Sequence, residues 1–458
     1  MKQFAVLYLF MLLLAATSHA QYNTNENKIW AFGLQQGLNF NSGTPVPFAS
    51  GMNAGMTTLE GCASVCDTAG QVLFYSSGKK VYNKTGALMP NGASLVSFST
   101  SSTEQAALIV PVIGTTQKYY LFSLGSIGNG RLQYCIVDMS LDGGLGDVVA
   151  SSIGTPLADS LGENMIAVAG YSSNIWLVTH RADTSLFLSY NITAAGIGSP
   201  IVSATGLFSG PLCYSWSMLR VSPDRTRIAQ AIYKAADVYG THLYNFNAAN
   251  GKVTNCMVID SVDDKTYSVE FSPDSKKLYT SGNRKMAQFD ISLAGASAIQ
   301  ASKYIVTDST AGYDVRLGPD GKIYFRGRDN RDLNCIATPN LAGAACAPTL
   351  HAVVMPNRAH DVFPNVYVRV GVKNESAGEP IVSATAAAIS AYPNPAGSVL
   401  TIASPYNINS VVIIDRAGRV VYEAPAIGKE VRADVSGLIP GTYTLRVNHT
   451  ETLNFIKL

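Results

Sequence analysis

"THRAD", at the end of an apolar run, places His180, Arg181 and Asp183 within four positions. An imidazole beside a carboxylate can pass a proton and a guanidinium can hold an anion, so these three residues are a candidate acid/base cluster. A turn held by its own hydrogen bonds uses the same residues. A second candidate set is Glu270, Asp314 and Arg316, which flank strands in adjacent repeats and could line a tunnel; interblade salt bridges are the competing use. Motifs that carry a mechanism by spacing alone do not occur: no G-x-S-x-G, no H-E-x-x-H, no phosphate loop, no calcium loop. The five histidines beyond residue 20 (His180, His242, His351, His360, His449) contain no i, i+2 or i, i+4 pair, so no zinc site and no cofactor is expected.

The elements that must position these side chains are strands. Forty glycines, abundant Val, Ile, Thr and Tyr, and little 3.6-residue periodicity predict an all-β chain. "RVSPDRTRIAQAI", "EFSPDSKKLYTSG" and "RLGPDGKIYFRG" repeat one pattern of strand, Pro-Asp turn and strand, with Asp224, Asp274 and Asp320 about 50 residues apart. Looser hairpins turn near Asp67, Gly114 and Ser172. A period near 50 is a β-propeller signature, and the 350 residues from Gln21 to Val370 accommodate seven blades. A pair of large β-sandwiches is the competing architecture. The remnants "KIWAFG" and "VFPNVYVRV", at opposite ends of this region, are expected to share the closing blade.

The ends of the chain speak about destination. Lys2, the apolar run Phe4–Ala16 and the small-x-small triplet Ser18-His19-Ala20 form a secretory signal peptide over 1–20, cut between Ala20 and Gln21. That run is too short to span a bilayer and no later run is long enough, and a net charge of +2 with 14% charged residues argues against nucleic acid as a partner. An exported chain meets an oxidising compartment; of seven cysteines, Cys335 and Cys346, bracketing a turn-rich segment, are the candidate disulfide. Small buried thiols are the alternative use of these cysteines.

Residues 371–390, rich in Ala, Ser and Gly, form a linker. Tyr392-Pro393-Asn394-Pro395 then opens a fresh module over 391–458, since neither proline can donate to a sheet. "VLTI" sets Leu400 and Ile402 on one face; Asp415 and Gly418 bound a hairpin turn; after Pro440-Gly441, Tyr443, Leu445 and Val447 share a face. A small Ig-like β-sandwich is expected.

Taken with the quoted repeats, "IWAFGLQQGLNFNSGTPV" and "CIVDMSLDGGLGDV" make residues 29–365 resemble the secreted β-propellers of Bacteroidetes, which are WD-repeat-like in architecture only. Tyr392, Pro393, Asn394, Pro395, Asp415, Gly418, Gly441, Tyr443 and Lys457 resemble the landmarks of the type A C-terminal sorting domain of type IX secretion. That resemblance implies export by the secretion machinery, removal of the domain by a sortase-like protease, lipopolysaccharide anchoring or release, and residence at the cell surface or in the medium. It implies no activity. The expected role is a binding or adhesion module for a glycan, peptide or matrix component, with a hydrolase or lyase at the central pocket as the alternative.

Overall fold

A computed structural model describes residues 21–49, 56–126, 130–206, 216–234, 240–260, 266–282, 285–308, 313–326, 332–357, 362–370, 390–415, 419–448 and 451–458. The predicted signal peptide up to Ala20, nearly all of the predicted linker, and Gly418 lie outside these residues. The chain divides into a unit over Met1–Lys373 and a unit over Asn374–Leu458.

The first unit holds seven separate antiparallel sheets of three to five strands among the described residues. Their first strands are Ile29–Phe32, Ala63–Cys66, Ala107–Pro111, Leu161–Ala169, Trp216–Val221, Ser268–Phe271 and Val315–Leu317. Each of the six hairpins read from the sequence supplies the first two strands of one sheet; Glu270, for example, faces Tyr279 and Arg316 faces Tyr324 across the turns. Consecutive first strands lie side by side from the second sheet to the seventh. The first sheet then meets the seventh through Trp30, whose ring centroid is 6.1 Å from that of Tyr324 and 4.9 Å from that of Phe40.

Turn chemistry explains why the hairpins form. In the fifth sheet Asp224 Oδ1 accepts from the Thr226 amide and from the Ser222 hydroxyl, while the Arg225 amide donates to the Ser222 carbonyl. The residue after the aspartate must adopt positive φ: +81° at Gly321, +63° at Arg225 and +62° at Ser275. The two non-glycine residues offset that strain with contacts to neighbours. Arg225 lies over the Tyr171 ring at 4.5 Å, and the Ser275 hydroxyl accepts from the Asp224 amide of the sheet before it.

Residues 362–370 correct one expectation. They do not complete the first sheet but run extended among the first strands of several sheets. Asn365 bridges Ala63 in parallel register, its amide donates to the Cys62 carbonyl, and its side chain donates to the Ala107 carbonyl. The physical reason is packing: Phe363, Asn365, Tyr367 and Val368 are all buried here, against residues of several sheets.

The candidate disulfide is corrected as well. Cys335 and Cys346 are free thiols. Successive strand residues face opposite ways, so Cys335 packs with Trp30 and Tyr324 while its neighbour Ile336 packs on the other face, with Cys346 and Tyr279. A bridge would have to cross the sheet.

In the second unit Ser390–Tyr392, Val399–Ile414, Val420–Asp434, Gly441–Val447 and Glu451–Lys457 form one antiparallel network. Register shifts near Ala403 and Ser410 let the long strand Val399–Ile414 pair with Ser390–Tyr392 at one end and Gly441–Val447 at the other. Leu400, Ile402, Tyr443, Leu445 and Val447 all enter its core, as their alternation predicts.

Trp30→Ala removes the aromatic contact between the first and seventh sheets and is expected to cost about 3–5 kcal/mol in urea unfolding. A loss below about 1 kcal/mol would show that the two sheets do not depend on one another.

Candidate functional site

The polar centre of the first unit is built from one repeat position. Arg220, Glu270 and Arg316 each stand four residues before the turn aspartate of their hairpin, so three adjacent first strands point them at one place. All three are buried, with Asp314 alongside. Arg220 Nη2 donates to Asp314 Oδ1 at 2.8 Å, and its Nε lies 3.6 Å from Glu270 Oε2. Asp314 also accepts from the Ser268 hydroxyl at 2.5 Å and, through Oδ2, from the Phe363 amide. Glu270 accepts from the Phe271 and Leu317 amides. Arg316 Nη2 donates to Asn365 Oδ1, which also receives Gln105 Nε2.

Burial dominates the electrostatics. It lifts the Glu270 carboxyl above its ordinary value against the opposing pull of Arg220 and Arg316. Burial, reinforced by Arg220, lowers the Arg316 guanidinium to about 10. Beside these charges lies a small cavity of about 50 Å3, lined by Leu108, Ile166 and Val368 and by Gln21 and Tyr22. Gln21 Oε1 accepts from the Ala169 amide. Asn27 exchanges hydrogen bonds with the Tyr367 backbone, and Arg369 pairs with Glu26. The residues after the predicted cleavage point are therefore part of the cavity wall.

Glu270, Asp314 and Arg316 are thus brought together, and their arrangement is that of a buried ion-pair network reaching the segment 362–370. The sequence reading missed Arg220, although it occupies the same position in its repeat as the two residues that were singled out. It also missed Asn365, whose partners lie 258 and 260 residues away. His180, Arg181 and Asp183 do not converge. His180 is buried with Nδ1 2.7 Å from the Arg181 carbonyl, Arg181 reaches the exposed Asp159, and Asp183 faces solvent.

Two further buried polar groupings were not visible in the sequence. Asn164 and Gln230 both donate to the Ser217 hydroxyl, and Tyr244 bridges Gln230 to His242. Burial lowers His180 to about 3 and His242 to about 4. The Glu104 and Glu163 carboxyls hydrogen-bond to each other, and burial first, then Glu163, holds Glu104 well above the carboxylate range. Among the described residues no group of three or more His, Cys, Asp or Glu is arranged to hold a metal ion.

In the second unit the landmark residues serve local structure. Asn394 Oδ1 accepts from the Ile456 amide, Asp415 caps its turn by accepting from Arg419, and the Tyr443 hydroxyl donates to the Ile439 carbonyl. Lys457 is buried with its ammonium on the terminal carbonyl. A Cβ at Gly441 would meet the Ile439 carbonyl oxygen at 3.9 Å, an ordinary contact.

The family described as "Secretion system C-terminal sorting domain" matches residues 390–458. This is a type IX secretion sorting signal. The chain is therefore a secreted or cell-surface protein that engages the type IX machinery. No helix among the described residues is long and apolar enough to cross a membrane.

No curated protein matches the chain. Similar solved structures include the periplasmic gluconolactonase PpgL of Pseudomonas aeruginosa, at 10% identity and TM-score 0.44, covering 74% of this chain and 98% of that one. A putative 6-phosphogluconolactonase from Bacteroides uniformis has 13% identity and TM-score 0.43, covering 72% and 97%. PorZ, a surface component of the type IX system of Porphyromonas gingivalis, has 12% identity and TM-score 0.31, covering 95% and 69%. At these values none of the three assigns an activity or a ligand to this chain.

Asp314→Ala leaves Arg220, the Ser268 hydroxyl and the Phe363 amide without their shared acceptor, and is expected to cost about 3–5 kcal/mol in denaturant titration. A loss below about 1 kcal/mol would show that the network carries little stability. The histidines set a pH dependence. Their folded values lie below the unfolded one of about 6.5, so the stability they contribute is full above pH 6.5 and falls as the unfolded chain takes up the protons. Between pH 7 and 5, His180→Phe is expected to lose about 2 kcal/mol less than the native chain; parallel pH curves would refute the assignment.

Proposed function

We propose that the mature protein is an exported, non-catalytic binding module: a seven-bladed β-propeller carried outward by a small Ig-like, type A sorting domain. The observation that carries the reading is the filling of its centre. The segment 362–370 occupies the middle of the sheets, and Arg220, Glu270, Asp314 and Arg316 are committed to one another and to that segment. Groups so engaged hold a scaffold together, which leaves recognition to the sheet ends and their connections. Seven meander sheets, first strands packed in sequence order and a Trp30–Tyr324 contact between first and last support the blade count. The ligand class is a glycan, peptide or matrix component outside a Bacteroidetes cell.

The path runs from signal-peptide cleavage at Ala20–Gln21, through the outer membrane under the guidance of 391–458, to cleavage within 371–390 by a sortase-like protease and lipopolysaccharide anchoring or release. A second reading, a hydrolase or lyase, is favoured by one observation: the Glu104–Glu163 pair, in which one carboxyl keeps a proton that an acid catalyst would donate. Both side chains are buried, and a substrate would have to reach them.

In a host with the type IX system, deletion of 391–458 is expected to abolish surface display while the remaining chain accumulates in the periplasm. The mature surface form is expected to lack Tyr443 and Lys457 by mass mapping. Undiminished display after the deletion would overturn the export path. Retention of the mature chain on immobilised glycans or matrix proteins without chemical change to them tests the binding role; turnover of such a ligand, lost on Glu104→Gln, would establish the second reading instead.

A further inference from the structure

A cleft of about 630 Å3 lies at one end of the second sheet, between residues 57–61, the turn from Ser77 to Lys80, and residues 99–101. Its wall is unlike the centre of the unit. Thr57, Ser99 and Ser101 present hydroxyls from exposed positions, Tyr82 forms part of the wall, and Lys79 and Lys80 bring two ammonium groups. Neither lysine is ion-paired among the described residues, whereas Lys118, Lys277 and Lys303 of the same unit each sit within 3.3 Å of an aspartate.

The backbone under these lysines is rigid. The Ser77 carbonyl accepts from the Thr100 hydroxyl at 3.0 Å, the Gly78 carbonyl from the Ser123 hydroxyl, the Lys79 carbonyl from the Leu95 amide, and the Lys80 carbonyl from both the Ser77 amide and the Ser76 hydroxyl. Gly78 has φ +79°, and a Cβ there would meet the Ala106 carbonyl oxygen at 2.6 Å. Four consecutive carbonyls tied to three different parts of the chain hold two unpaired cations over a wall of hydroxyls, so their placement costs no ordering of the turn when a ligand arrives.

We infer that this cleft binds an acidic polysaccharide, with its carboxylate or sulfate groups on Lys79 and Lys80 and its sugar hydroxyls on the serine and threonine wall. The inference rests on the binding role proposed above and gives it a site and a ligand chemistry. Lysine suits a rotating anionic group on a flexible chain, because it acts as a point charge with no fixed fork to satisfy. Hydroxyls that both donate and accept suit a polyol. Glu60, the one carboxylate of the wall, can accept sugar hydroxyls but repels a second anion, which confines the acidic groups to the lysine side.

The test is affinity electrophoresis and calorimetry of the full chain with three probes: polygalacturonate for carboxylate, chondroitin sulfate for sulfate together with carboxylate, and dextran as a neutral polyol. Retention by one or both acidic polymers at low salt, weakening as salt rises, and none by dextran is expected; preference between the acidic two identifies the anion. The double variant Lys79→Gln, Lys80→Gln is expected to raise Kd by about tenfold or more with an unchanged melting temperature, since neither side chain is buried. Acidic glycan binding that survives the double variant would remove this site while leaving the binding role intact. Retention of dextran alone, or of a protein ligand alone, would do the same. No retention by any glycan or matrix protein would overturn the site and the binding role together.

Discussion

Four charges that cannot reach water organise the first unit. Taking an ion out of water costs several kcal/mol unless a partner of opposite sign and further hydrogen bonds replace the solvent. Arg220, Glu270, Asp314 and Arg316 meet that requirement only jointly: Arg220 answers both carboxylates, and Glu270 and Asp314 are also capped by backbone amides. The four charges sit on or beside three first strands, Asp314 and Arg316 sharing the last, so the fifth, sixth and seventh sheets satisfy their ions only when assembled side by side. The network thereby selects one arrangement of sheets over others with equal hydrophobic burial.

The segment 362–370 belongs to the same constraint. Its Phe363 amide donates to Asp314 and its Asn365 side chain accepts from Arg316, and Asn365 also reaches Cys62, Ala107 and Gln105. A single asparagine thus ties the second, third and seventh sheets. Because the chain reaches 362 only after the last sheet, the centre is finished last along the sequence. The start of the described chain is drawn in too, through Asn27 with Tyr367 and Glu26 with Arg369. The start of the described chain and the segment 362–370 are thereby held together in one place.

The contrast between paired and unpaired charge divides structure from recognition. Buried ions here hydrogen-bond to other parts of the chain, while Lys79 and Lys80, set on a turn whose carbonyls are all engaged, are not ion-paired among the described residues. Rigidity beneath and open valence above is the combination that favours binding over folding as the use of a side chain.

Strand–turn–strand units, their period near 50 and the boundary at Tyr392 were legible in the residues because they depend on neighbours within ten positions: proline and aspartate at a turn, alternation along a strand. Asp415 and Tyr443 of the sorting domain were legible for the same reason, since their partners Arg419 and Ile439 lie four residues away. Glu270 and Arg316 were singled out because they flank strands in adjacent repeats, and Arg220 stands at the corresponding position of its own repeat. What the tertiary structure alone decided was every contact made across hundreds of residues or between faces. The path of 362–370 through the centre, the separation of Cys335 from Cys346 by a sheet, the meeting of Glu104 with Glu163 and the cleft at Lys79 have no local signal. Their energies come from which surfaces are left uncovered once the sheets assemble, and that quantity does not exist until the chain has folded.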